Sequence, residues 1–133
     1  MIRSLIKSAV IVGSLTLCCL GLPLAANAES EIVFNGTFEG RTDHTTTGGV
    51  TVLKTDAGTI VVLESDFFLD GAPDPKLGFG KDGYDPSTKF SHLQSNTGAQ
   101  VYVISEDIDP SKYNEIWVWC EKFNVPLGVA TKD

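Results

Sequence analysis

The stretch "EIWVWCEKFNVPLGVA", residues 115–130, decides how the chain is to be read. Its first six residues alternate, so an extended strand puts Ile116, Val118 and Cys120 on one face and Trp117 and Trp119 on the other. Beyond Glu121-Lys122 the apolar positions move to Phe123, Val125, Leu127 and Val129, which is the opposite parity. A slip of one residue turns every side chain over, so something has to absorb the shift. A tight reversal at Glu121-Lys122 would do so by pairing Cys120 with Phe123, Val118 with Val125 and Ile116 with Leu127. A bulge would serve as well, and Glu-Lys is not a favoured two-residue hairpin turn. Either way the segment reads as two antiparallel strands, with Cys120 at the end of a core face, near its rim.

The same period-two pattern runs outward through "EIVFNGTF", "GGVTVLK", "TIVVLES" and "AQVYVIS", each bounded by Gly, Asp, Asn or Pro. No window of a dozen residues carries a helical stripe. "TDAG" at 55–58 and "SNTG" at 95–98 place Asp or Asn early and Gly last, which suits hairpin turns. Asp109-Pro110-Ser111-Lys112 predicts a single capped turn. Between Asp66 and Phe90 the pattern loosens into a long acidic, glycine-rich connection, with only "KLGFG" readable as a strand. About seven or eight short strands without helices predict an all-β domain, a single antiparallel β-sandwich or, as the alternative, a small β-barrel.

The first residues set the compartment. Arg3 and Lys7, an apolar run from Ala9 to Leu24 and then Ala26-Asn27-Ala28 have the order of a secretory signal peptide over residues 1–28. The run is short for a spanning helix, which needs about 20 apolar residues. Neither Cys18 nor Cys19 follows the small residue that a lipoprotein cleavage site requires. Residues 29–133 are then one exported domain with no membrane span. Of its charged residues eight are basic and seventeen acidic, a net of −9, which disfavours nucleic acid and anionic lipid as partners. Cys120 is its sole cysteine, so no internal disulfide can form in a compartment that favours them. The thiol either fills space as a small hydrophobe or reacts with a partner protein at the cell envelope. Reactivity calls for a nearby cation, and in sequence the local one is Lys122.

Cofactor readings can be bounded by motif. Without C-x-x-C-H, covalent c-type haem is excluded. His44, His92 and Cys120 form on paper the nitrogen and sulfur set of blue copper, but the domain has no methionine for the axial position. Asp70, Asp74, Asp82 and Asp85 suggest calcium without the spacing of a known loop. No serine-histidine-aspartate or paired-carboxylate motif indicates an independent hydrolase. The face bearing Trp117 and Trp119 would suit a glycan or protein partner if exposed, or packing if covered.

Three segments, "GTFEGRTDHTTTGGVTV", "VVLESDFFLDGAPDPKL" and "HLQSNTGAQVYVISEDIDPSKYNEIWVWCEKFNVPLGVA", resemble the DM-thirteen domain family from about Phe34 to Ala130, most specifically in the closing W-C-x-x-F-x-V-x-x-G-x-A pattern. That family accompanies DOMON and Skeletor-type modules on animal cell surfaces and occurs in bacterial exported proteins. The resemblance implies an electron-transfer role, with Cys120 as a naked thiol or the ligand of a prosthetic group such as haem. It also implies a place for His44 beside that group. Where the family often has Phe before the late glycine, this chain has Pro126-Leu127. A non-catalytic binding or adhesion module, in which Cys120 is structural, is the competing expectation.

Overall fold

A computed structural model describes residues 30–133. The signal peptide expected over 1–28, with Cys18 and Cys19, lies outside the described residues. Ten strands follow in chain order: β1 (Ser30–Gly40), β2 (Thr46–Thr47), β3 (Gly49–Thr55), β4 (Gly58–Leu63), β5 (Phe68–Leu69), β6 (Pro75–Gly80), β7 (Ser91–His92), β8 (Gln100–Ile104), β9 (Glu115–Cys120) and β10 (Val125–Lys132). The only helical pieces among them are 3-10 turns at Pro86–Thr88 and Pro110–Lys112. Eight strands form one antiparallel sheet in the order β7-β6-β9-β10-β1-β3-β4-β8, while β2 and β5 pair separately. The all-β expectation holds, and the small barrel is the form it takes.

One face of this sheet is almost wholly apolar, and the sheet curls to bury it against itself. Register shows how the strands share the work. Val118 sits between Leu77 and Gly128, and Ile116 between Phe79 and Ala130; all of these side chains except the glycine belong to the buried core. Phe34, Phe38, Val50, Val52, Val61 and Leu63 continue the same face. Phe67 plugs an end from a connection, its ring edge-on to Phe38 at 5.5 Å.

The two edge strands, β7 and β8, do not pair with each other. Side chains bring the edges together instead. Phe90, just before β7, lies 5.4 Å from Phe79 of β6 and 5.9 Å from Tyr102 of β8, ring centre to ring centre. The Tyr102 hydroxyl accepts from the Gln94 N–H at 3.0 Å and donates to Gln100 Oε1 at 2.6 Å. Gln100 Oε1 also accepts from the Ser95 N–H, and its amide nitrogen donates to the carbonyls of Ser95 and Gly98. Burial pushes the Tyr102 phenol up.

Local signals met different fates. "TDAG" makes the β3–β4 hairpin, closed by Thr55 opposite Gly58. "SNTG" makes a tight turn with Gly98 at φ 89°, yet no hairpin, because the strands it joins lie at opposite edges of the sheet. The Asp109 carboxylate caps Pro110–Lys112 by accepting from the Ser111 N–H, as expected. The connection over 66–90 is more ordered than its composition suggests, since Pro75–Gly80 is an inner strand between β7 and β9.

Candidate functional site

Cys120 is the last residue of β9, opposite Val125 on one side and Pro75 on the other. Its side chain points into the core and is 1% exposed. The thiol is free. The parity shift is not absorbed by a reversal at Glu121-Lys122. The chain instead turns over residues 121–124, with Asn124 at φ 53°, and a bulge between Val118 and Trp119 leaves Leu127 as the extra residue of β10. Cys120 therefore pairs with Val125, not Phe123, and Phe123 is 62% exposed. The bulge turns Leu127 inward, and Thr46 Oγ1 donates to its carbonyl at 2.8 Å.

Lys122, the cation nearest in sequence, is not aimed at the thiol; its ammonium lies 5.6 Å over the Phe123 ring. A different set of charges closes this rim. Lys76 Nζ donates to Asp74 and Glu121, each at 2.8 Å, and Lys89 Nζ reaches the other oxygen of Glu121 at 2.6 Å. The Glu121 N–H donates to the Asp74 carbonyl at 3.0 Å. The hydrogen bonds from Lys76, then Lys89, pull the Glu121 carboxyl down to about 2. The residue immediately after the thiol is thus tied to the segment that precedes β6.

His44 reaches the same end of the barrel through Thr46 and Leu127, two residues on from Val125. Its Nδ1 lies 2.8 Å from Asp70 Oδ1, while the Thr45 N–H donates to the other carboxylate oxygen at 3.0 Å. The Thr45 amide and then His44 hold the Asp70 carboxyl below the usual carboxylate range. His92 sits apart, exposed on the short edge strand β7. No three His, Cys, Asp or Glu side chains are grouped to hold a metal among the described residues. Neither the copper set nor a calcium cluster is assembled: Asp70 serves the His44 turn, Asp74 binds Lys76, and Asp85 caps Pro86–Thr88. Haem does not fit beside the sulfur either, since Cys120 is enclosed by the packed core and lines none of the larger surface hollows found among the described residues.

The two tryptophans lie on the outer face, half-buried. Tyr84 stacks on Trp119 at 4.6 Å, and Trp117 meets Trp119 edge-on at 6.0 Å. Their indole N–H groups donate to Asn124 and Glu115. Gly78 makes room for this layer, because a Cβ there would lie 2.7 Å from the Tyr84 ring. A loop residue, not a second sheet, covers the aromatics. Tyr84, Lys76, Lys89 and Asp70 escaped the sequence reading. For Tyr84 the outward glycines of "KLGFG" were the available signal; for the others there was none.

The geometry is that of a small antiparallel barrel whose free cysteine ends an inner strand beneath a charged rim. A family model described as Electron transfer DM13 matches residues 37–131, and the chain belongs to this family. No curated protein and no solved structure matches it. Among the described residues no helix is long and apolar enough to cross a membrane.

Proposed function

We propose that residues 29–133 form an exported electron-transfer module whose redox group is the Cys120 thiol, acting on a disulfide-bearing protein of the cell envelope. The carrying observation is family membership joined to a free cysteine at the end of a strand, one residue before an exposed turn. In the reaction the Cys120 thiolate attacks a partner disulfide, whose S–S bond breaks as the mixed disulfide forms. The displaced partner sulfur leaves as thiolate, is reduced, and takes up the proton that Cys120 released. A thiol from another molecule must resolve the adduct, since residues 30–133 hold no second cysteine. With the sulfur 1% exposed, exchange requires local opening of the 121–124 turn, and the Glu121 ties resist that opening. No prosthetic group enters the scheme. Export rests on the leader-like residues 1–28.

The burial itself favours a second reading, a binding module in which Cys120 is core packing and the outer face meets a partner. Incubation of the folded protein with oxidised glutathione separates the two. The redox reading expects a glutathione adduct on Cys120 under native conditions, reversed by dithiothreitol and absent from Cys120→Ala. Modification seen only in denaturant would overturn it in favour of the packing role.

A further inference from the structure

The edges of the sheet are treated unequally. β7 is two residues long and lies against Lys76 and its charge network. β8, "QVYVI", is five residues long and contains no Lys, Pro or Gly. Natural sheets blunt exposed edges with charge, proline, bulges or brevity; β8 has none of these. Among the described residues its outward backbone groups find no backbone partner. Its outward side chains are also unusual, with Val103 76% and Val101 55% exposed.

These valines end two rows that cross the outer face. Val103 is opposite Ile60, Ile60 opposite Leu53, and Leu53 opposite Ile32, itself 59% exposed. Val101 is opposite Val62 in the adjoining row. Cross-strand apolar pairs of this kind stabilise a sheet, but here they face solvent.

We propose that β8 is the interface of a symmetric homodimer, in which two copies join edge to edge as antiparallel strands about a twofold axis at Tyr102. The register is self-complementary. With Tyr102 opposite its symmetry mate, Val103 of each copy meets Val101 of the other, so each apolar row continues across the junction. The acidic Glu106 and Asp107 then fall opposite Gly98 and Thr97 of the second copy, and no like charges are opposed. That reciprocity is why a second copy, and not an unrelated strand, is the occupant. The added main-chain hydrogen bonds give affinity, and an interface near the low end of specific size, roughly 1,200 Å² in total, makes association concentration-dependent.

Sedimentation velocity of the protein purified from the full chain, from about 1 to about 500 µM, tests this. The expected result is a monomer–dimer equilibrium that Val103→Lys weakens by at least about tenfold, with an unchanged melting temperature because position 103 is exposed. In a Cys120→Ala background, mixing Val101→Cys with Val103→Cys chains should give a cross-linked heterodimer faster than either variant gives a homodimer. A wild-type chain that stays monomeric throughout, a Val103→Lys variant that dimerises undiminished, or cross-linking without preference for the 101–103 pair would overturn the proposal.

Discussion

Closure of the barrel rests on side chains at the seam between β7 and β8, so removing one oxygen there should be costly. Tyr102→Phe deletes a hydroxyl that makes two hydrogen bonds, one accepted from the Gln94 N–H and one donated to Gln100 Oε1. The ring itself stays against Phe90. The Gln94 N–H is partly buried and loses its acceptor, whereas Gln100 Oε1 keeps its bond from Ser95. At about 1 kcal/mol for each bond, the loss is about 2 kcal/mol. For a domain of this size, at about 4 °C per kcal/mol, the melting midpoint should fall by about 8 °C. Phe90→Ala removes the ring between Phe79 and Tyr102; being half-buried, it should cost about 2 kcal/mol, below the range for a fully buried Phe. The double variant should show coupling of about 0.5–1.5 kcal/mol, because both changes weaken one seam. Thermal melts monitored by circular dichroism, with urea titrations as a check, give all three values. A Tyr102→Phe midpoint within about 2 °C of wild type, or strictly additive effects, would refute closure through these side chains.

Three further perturbations test other parts of the structure. The Glu121 carboxyl is held down at about 2, so its contribution is complete above the ordinary carboxylate range near 4.5 and is lost as pH falls towards 2; Glu121→Gln should lower the melting point at pH 7 and flatten its decline over that window, and an unchanged decline would contradict the assignment. Gly128→Ala would set a Cβ 2.6 Å from Thr46 Cβ, displacing a buried side chain whose hydroxyl bonds Leu127; a cost of about 1–3 kcal/mol should appear as a lower urea midpoint. Gly78→Ala should lift Tyr84 from Trp119, shifting tryptophan fluorescence to longer wavelength and increasing acrylamide quenching, whereas an unaltered spectrum would show that the stack does not depend on this glycine.

Alternation made most of the sheet legible, because a strand with one buried face writes that face into every second residue. Residues 115–120 and 100–104 are buried at the positions their pattern predicts. Turn chemistry was less informative: "SNTG" specifies a left-handed glycine at Gly98 but not which strand will be a neighbour, and its strands separate to opposite edges. Asp85-Pro86-Ser87 repeats the cap found at Asp109-Pro110-Ser111 and could have been read in the same way. "PKLGFG" looked peripheral because its glycines weaken a strand signal. They are present so that Tyr84 and Trp117 can lie on the outer face.

At the site, parity placed Cys120 on the inward face at a strand end, and the structure agrees. Its near-complete burial was not legible, because alternation names a face without saying which connections cover it. The ties from Lys76 and Lys89 to Glu121 span 45 and 32 residues, a separation at which local sequence carries no signal. The bulge at Leu127 was one of two ways to reconcile the parities, and packing selected it: a two-residue reversal would bury Phe123 in space that Val125 and Leu127 occupy.

The rate at which the folded protein's Cys120 reacts with an aromatic disulfide, followed as a function of dilute urea, is the decisive measurement. A redox thiol at this rim should react through local opening, with a rate well above that of global unfolding and only weakly dependent on urea. A rate equal to global unfolding, with the full urea dependence of that transition, would show a sulfur released only when the barrel comes apart, and Cys120 could not then be the electron-carrying group.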